Sequence, residues 1–154
     1  MVVLRSLVAT ASALFLAHGA AAQTNAQCTN SDYDWAYNSL KQSPCDVLAS
    51  LGAVCNSGLF SVPSLSNGEQ YVGPDPDYAT TCRCNTVFYS MLAACSACQD
   101  ASYIAWTLYS ANCSSVAIQE YPDDIPRGTR IPHWAYQDVV SNNTFDLQTA
   151  INDA

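Results

Sequence analysis

The sequence predicts a mainly α-helical, disulfide-stapled single domain, and three observations carry that prediction. Eight cysteines among 154 residues, an even number behind a secretory-type leader, read as a disulfide framework. Several stretches repeat apolar residues at i, i+3, i+4 and i+7, the helical period. Charged residues make up only 12% of the chain while aromatics reach 10%, a composition that buries a core instead of remaining disordered. At this length the expectation is one domain.

Residues 1–22 read as a signal peptide. Arg5 supplies the basic start, residues 7–17 an apolar run, and Ala20, Ala21 and Ala22 the small residues of a cleavage site. Cleavage is expected after Ala22, with Ala26 as the second choice. Removing 22 residues from 154 leaves 132, assigned to one cysteine-rich extracellular domain over 23–154. The leader takes Arg5 and His18 with it. Lys41, Arg83, Arg127 and Arg130 then stand against 13 acids, a side-chain net charge of −9, and His133 is the only histidine left. Such a charge opposes nucleic-acid binding, which needs cations for the phosphates. No later stretch approaches the ~18 apolar residues of a membrane span. Two sequons fit a secreted chain: Asn112-Cys113-Ser114, whose middle cysteine hinders transfer, and Asn142-Asn143-Thr144.

The elements follow in order. Tyr33, Ala36, Tyr37 and Leu40 share one face of a helix over 31–42. Ser43-Pro44-Cys45-Asp46 is a capping box with proline at the first helical position. The helix behind it carries Val47, Leu48, Leu51, Val54 and Cys55, and Gly58 is its stop. Asn85 caps a third helix to about residue 99, with Val87, Phe88, Met91, Leu92, Cys95 and Cys98 on one face. A fourth, over about 102–112, carries Tyr103, Ile104, Trp106, Leu108 and Tyr109. Between the second and third lies a long irregular stretch, 59–81, rich in proline and glycine. A short hairpin is expected inside it, with arms 60–62 and 70–72 around the Asn67-Gly68 turn. Loops of this length in a domain are usually functional or pinned, and Cys55 and Cys82 flank this one. Beyond Cys113, residues 121–126 and 131–136 read as extended segments wrapping the core with their aromatics. A last short helix is expected over 143–151.

Eight cysteines allow 105 pairings, and geometry removes some. Cys82 and Cys84 straddle one residue and bond elsewhere. Cys45 and Cys55 lie about 15 Å apart on one helix, beyond disulfide reach. Cys95 and Cys98 staple two neighbours to the third helix, expected to be the second helix and either Cys113 or Cys28. Two sharper readings are set aside. Zinc at Cys82, Cys84, Cys95 and Cys98 conflicts with an oxidising route. A redox pair at Cys95 and Cys98 would sit in the last turns of a helix, where the dipole disfavours a thiolate.

No catalytic constellation stands out. His133 lacks a nucleophile motif around it and reads as a packed or surface side chain. The acid pairs Asp32/Asp34, Asp75/Asp77 and Asp123/Asp124 sit beside prolines or at helix starts, where acids cap turns. A hydrolase built on two carboxylates alone is the least supported alternative. On the long loop, Tyr71, Tyr78, Asp75 and Asp77 form the speculative ligand-binding set, the two tyrosines as a stacking surface for a sugar and Asp75-Pro76-Asp77 as a calcium contact with no EF-hand loop around it.

Several runs together resemble a known family. They are Ser43-Pro44-Cys45, Val54-Cys55-Asn56, Tyr71-Val72-Gly73-Pro74, the stretch from Cys82-Arg83-Cys84-Asn85 to Tyr89-Ser90, Ala94-Cys95-Ser96-Ala97-Cys98-Gln99 and Ile131-Pro132-His133-Trp134-Ala135-Tyr136. These resemble an uncharacterised family of cysteine-rich ectodomains from mushroom-forming fungi, across nearly all of the mature chain. The resemblance implies a signal peptide, this domain and a membrane helix after it, and brings no activity. The expectation is therefore a secreted domain, or the ectodomain of a type I membrane protein if the coding sequence continues past Ala154. The spacing Cys82, Cys84, Cys95, Cys98, Cys113 is similar to the later half of the fungal eight-cysteine CFEM pattern, while the first half departs from it. That second resemblance implies haem binding through an aspartate between the third and fourth cysteines, the position of Asp75 or Asp77. The reading that results is a non-catalytic interaction or surface module without a cofactor or metal. Its partner is expected to be an extracellular protein or a cell-wall component.

Overall fold

The computed structural model describes residues 23–154, and a helix with no solvent-facing side lies at their centre. The leader read at 1–22 lies outside the described residues. The described residues begin with β1, Gln23–Thr24, which pairs in parallel with β2, Ser61–Val62, in the register Gln23 to Ser61 and Thr24 to Val62. A cut after Ala26 would remove β1.

The four α-helices are α1 (Pro44–Cys55), α2 (Thr86–Ala97), α3 (Trp106–Tyr109) and α4 (Leu147–Asp153). α1 forms as its sequence predicts. The Ser43 hydroxyl accepts from Asp46 N–H at 3.2 Å while the Asp46 carboxylate accepts from Ser43 N–H at 3.0 Å, so two orphan amides are satisfied reciprocally. At its end Gly58, at φ +85°, donates its N–H to Ala53 C=O at 2.7 Å, a left-handed stop that glycine adopts without strain. α2 is capped by the Asn85 carboxamide, which accepts from Phe88 N–H at 2.7 Å. All twelve residues of α2 are buried. A helix covered on every side needs few charged residues, and α2 has none.

Every described disulfide has one end between residues 82 and 98. The bridges are Cys28–Cys98, Cys45–Cys95, Cys55–Cys82 and Cys84–Cys113, and no cysteine is free. The expected staples from α2 to the second helix and to Cys28 are formed. Cys55 and Cys82 do more than flank the long loop, because they bond to each other and close it.

Four expectations are corrected. The helix expected over 31–42 is a 3-10 helix, Ser31–Ala36. It ends because the Asn38 carboxamide accepts from Leu40 N–H at 2.9 Å and Gln42 N–H at 3.0 Å, folding 38–42 into a tight loop with Lys41 at φ +61°. The helix expected over 102–112 is the single turn α3. Residues 103–105 stay extended, with Tyr89 O–H donating to Ile104 C=O at 2.7 Å and Tyr103 O–H to Phe145 C=O at 3.2 Å. The hairpin around Asn67-Gly68 is not formed. The turn is present, with Gly68 at φ +85° and Glu69 N–H on Ser66 C=O, but 61–62 pairs with the chain start instead. Within the C-terminal wrap, the segment expected to be extended over 131–136 contains a 3-10 turn, His133–Tyr136.

That wrap packs into the core through Tyr121, Trp134, Ala135, Val139 and Phe145, all buried, with the His133–Tyr136 turn against α2 and the Tyr121 hydroxyl donating to Leu51 C=O of α1. Trp134 meets Trp35 at 5.7 Å and Phe145 at 5.8 Å, both edge to face, the arrangement aromatic quadrupoles favour. No described helix is long and apolar enough to cross a membrane.

Candidate functional site

The long loop reaches across α2 to meet α3, and its contacts build one cleft. Gly73 lies against α3 so closely that a Cβ there would stand 2.0 Å from Tyr109 O. Asn112 Nδ2 donates to Pro74 C=O at 3.0 Å. The loop start is set by a second glycine: a Cβ on Gly52 would fall 2.0 Å from the Phe60 ring, so that ring lies directly on α1. Between these two anchors a cleft of about 130 Å³ opens, whose walls include Phe60, Val72, Gly73, Asp75, Arg83 and Tyr109.

Arg83 is the chemical centre of this cleft. Its backbone is held twice, by the bridges at Cys82 and Cys84 running to Cys55 and Cys113, and by Tyr109 O–H donating to its carbonyl at 2.6 Å. The guanidinium carbon lies 4.8 Å from the Phe60 ring centre and 5.3 Å from that of Tyr78, within cation–π range. Partial burial pulls its pKa below the usual arginine value, with Tyr109, Tyr78 and Asp75 opposing. Arginine is effectively always protonated, so the cleft holds a half-buried positive charge. Among the described residues no carboxylate lies within 4 Å of it, the one side-chain ion pair being His133 with Asp153. Tyr109 beneath it is pushed far above the ordinary phenol range by burial, which makes it a donor and not a nucleophile.

The loop set chosen from sequence divides. Asp75 lines the Arg83 cleft, and Tyr78, outside its wall, lies with its ring 5.3 Å from the Arg83 guanidinium. Asp77 is exposed in the 3-10 turn Pro76–Tyr78 and is not among the residues lining the cleft. Tyr71 has a fastening role. Its hydroxyl donates to Pro63 C=O at 2.6 Å and accepts from Gln99 Nε2 at 3.0 Å, 3.7 Å from Cys95 Sγ. Burial raises its pKa, against the Gln99 hydrogen bond. Arg83, Phe60 and Gly73 were not marked as site residues from sequence. The available signal was that Arg83 is one of four Lys and Arg residues after residue 22 and sits between two cysteines.

A second cleft of about 300 Å³ lies under the C-terminal wrap, with Trp35, Tyr37, Arg130, His133, Trp134 and Asp153 in its walls. His133 is a surface side chain, 84% exposed, with Nδ1 2.5 Å from an Asp153 carboxylate oxygen. Asn142 is exposed in the turn before α4, and Asn112 is exposed beside the bridged Cys113. The sulfurs of Cys28, Cys45 and Cys98 lie within 4.8 Å of one another, but each is committed to a disulfide, whereas a metal needs thiolate.

These features define a small, mainly helical domain stapled by four disulfides, with an arginine cleft on one face. No family model, curated protein or solved structure matches the chain.

Proposed function

We propose that this protein is an extracellular, non-catalytic recognition module that presents a rigid surface to another protein or to a cell-wall component. The observation that carries this reading is the complete pairing of eight cysteines into bridges that all anchor on one segment. Such pairing persists in oxidising compartments and removes conformational freedom, which favours binding through a preorganised surface.

The deployment of the acids supports the same reading. Asp46 and Asp146 cap α1 and α4, Asp138 accepts from Val140 N–H and Ser141 N–H, and Asp100 accepts from Asn30. Each of the four clefts described among residues 23–154 has at most one acidic side chain in its wall, whereas carboxylate-only hydrolysis needs two facing each other. The haem-like alternative would use Asp75. The cleft there is about 130 Å³, well under the roughly 300–1,000 Å³ of small-molecule sites, so that alternative ranks below recognition.

Expression from Met1 in a eukaryotic secretory host tests the reading. The protein should reach the medium beginning at Gln23, with a mass lower by eight hydrogens than the reduced chain. Retention in the cytosol with free thiols would overturn it. So would turnover of a soluble wall polysaccharide that Asp75→Asn or Asp153→Asn abolishes.

A further inference from the structure

We propose that the Arg83 cleft docks a glutamate or aspartate side chain of a protein partner, flanked there by apolar residues. The assignment deepens the recognition reading above and rests on it.

The first observation is the state of Arg83. It is a half-buried cation with aromatic rings at 4.8 and 5.3 Å and no carboxylate within 4 Å among the described residues. A partly dehydrated guanidinium with unused donors gains from a carboxylate, which it can grip with two parallel hydrogen bonds. The second is what surrounds it. The four most exposed large apolar side chains described are Leu59 at 82%, Val72 at 72%, Leu108 at 65% and Tyr78 at 50%. Val72 is in the cleft wall and Tyr78 stacks on the guanidinium. An arginine against two aromatic rings, with the exposed apolar side chains Val72 and Tyr78 beside it, has the anatomy of an interface hot spot.

Size and charge narrow the occupant. About 130 Å³ admits a carboxylate and its adjoining carbons, leaving the rest of the partner on the rim. The cleft wall comes from separate chain segments, at Phe60, Val72 to Asp75, Arg83 and Tyr109, so it meets partner chain on both sides of the carboxylate. A side chain within a segment provides that, and a chain terminus does not. With a net charge of −9 on the domain, a strongly acidic partner would be repelled on approach, so the partner is neutral or basic overall. Asp75, in the same wall, competes weakly for the cation.

The test uses the secreted protein and an N-acetylated, C-amidated Ala-Leu-Glu-Leu-Ala peptide, followed by NMR. Shifts should centre on Phe60, Val72 and Tyr78, with a Kd of roughly millimolar that weakens as salt is raised. Arg83→Gln should lose about tenfold or more, and Asp75→Asn should tighten binding. Equal binding of the Gln peptide, or unchanged binding by Arg83→Gln at an unchanged melting temperature, would overturn the assignment. If Arg83→Gln fails to fold, Tyr78→Ala on an exposed ring replaces it, and unchanged affinity there overturns it too. A Gln peptide with a free C-terminus that binds better moves the occupant to a chain end, against the proposal. Concentration-dependent dimers lost in Arg83→Gln would make the occupant a second copy, also against it. Shifts centred on the Trp35 and His133 cleft would remove the Arg83 assignment while leaving recognition standing, whereas substrate turnover would remove recognition itself.

Discussion

Two regions of this protein lack regular structure over long stretches, yet they are held by different physics. The loop at 59–81 is closed covalently by Cys55–Cys82 and fastened at scattered points, by β2 on β1, the Tyr71 hydroxyl on Pro63 and Gln99, and Asn112 on Pro74. Its side chains are largely exposed. The wrap after Cys113 has no cysteine at all and is held by burying Tyr121, Trp134, Val139 and Phe145. One region is fixed at its ends and at scattered points and free to display side chains between them. The other is fixed along its length and spends its aromatics on the core. This difference explains why the arginine cleft lies on the loop side. A covalently closed loop can expose apolar residues without losing its place.

The comparison breaks most severely at Trp134. Trp134→Ala should cost about 3–5 kcal/mol and detach the wrap, measured as a lowered denaturation midpoint and loss of amide protection over 133–150. Trp134→Phe should cost clearly less, because it also removes a buried indole N–H without a partner. Replacing both Cys55 and Cys82 by serine should cost about 2–4 kcal/mol, chiefly by freeing the unfolded chain. Hydrogen exchange should then rise over 59–81 and stay unchanged in the wrap. Rapid exchange in both would show that the two regions share one mode of support.

Smaller changes sharpen the contrast. Gly52→Ala should cost about 1–3 kcal/mol by overpacking, since its Cβ would meet the Phe60 ring; displacing that ring should also disturb the Arg83 stack, visible in the Tyr78 ring resonances. Tyr71→Phe removes a hydroxyl with two partners and should cost about 1 kcal/mol, raising exchange in the loop only. The weakest effect belongs to the wrap. Ser141, through its hydroxyl and then its N–H, holds the Asp138 carboxyl below its ordinary pKa, desolvation opposing and Val140 N–H adding to the lowering. A depressed carboxyl stabilises above its unfolded pKa of about 3.9 and loses that contribution as pH falls through the folded value. Acid titration should therefore open the 138–143 turn only below about pH 4, while the loop, closed by a bond that does not titrate, keeps its amide protection relative to an unstructured chain at the same pH.

Much of this was legible in sequence where the signal is local. The capping box at Ser43, the Gly58 stop and the Asn85 cap each depend on residues within five positions, and each is present. Of the two shortened helices, the one expected over 31–42 is ended by Asn38 within its own span, and the one expected over 102–112 failed for a distant reason. Trp106 N–H donates to Asn143 C=O and Thr107 N–H to the Asn143 carboxamide, so a residue 37 positions later decides where α3 starts. Tyr33 and Trp35 keep their apolar role, but as a 3-10 turn on Trp134. The partner chosen for 61–62 was likewise the chain start and not its own hairpin. In the candidate site, Asp75 and Tyr78 came from reading the loop, while Arg83 was passed over because nothing local marks a cation as unpaired.

The sequence by itself determined the class of fold and the chemistry available to it. An even set of cysteines, helical apolar periods and a low overall charge lead to a stapled helical domain, because burial and capping are local or compositional demands. Only the tertiary structure decided which cysteine meets which, and that every bridge returns to residues 82–98. It alone decided that two glycines, Gly52 and Gly73, let a ring and a carbonyl close around Arg83. Those outcomes depend on distances between segments tens of residues apart, and chain spacing does not encode them.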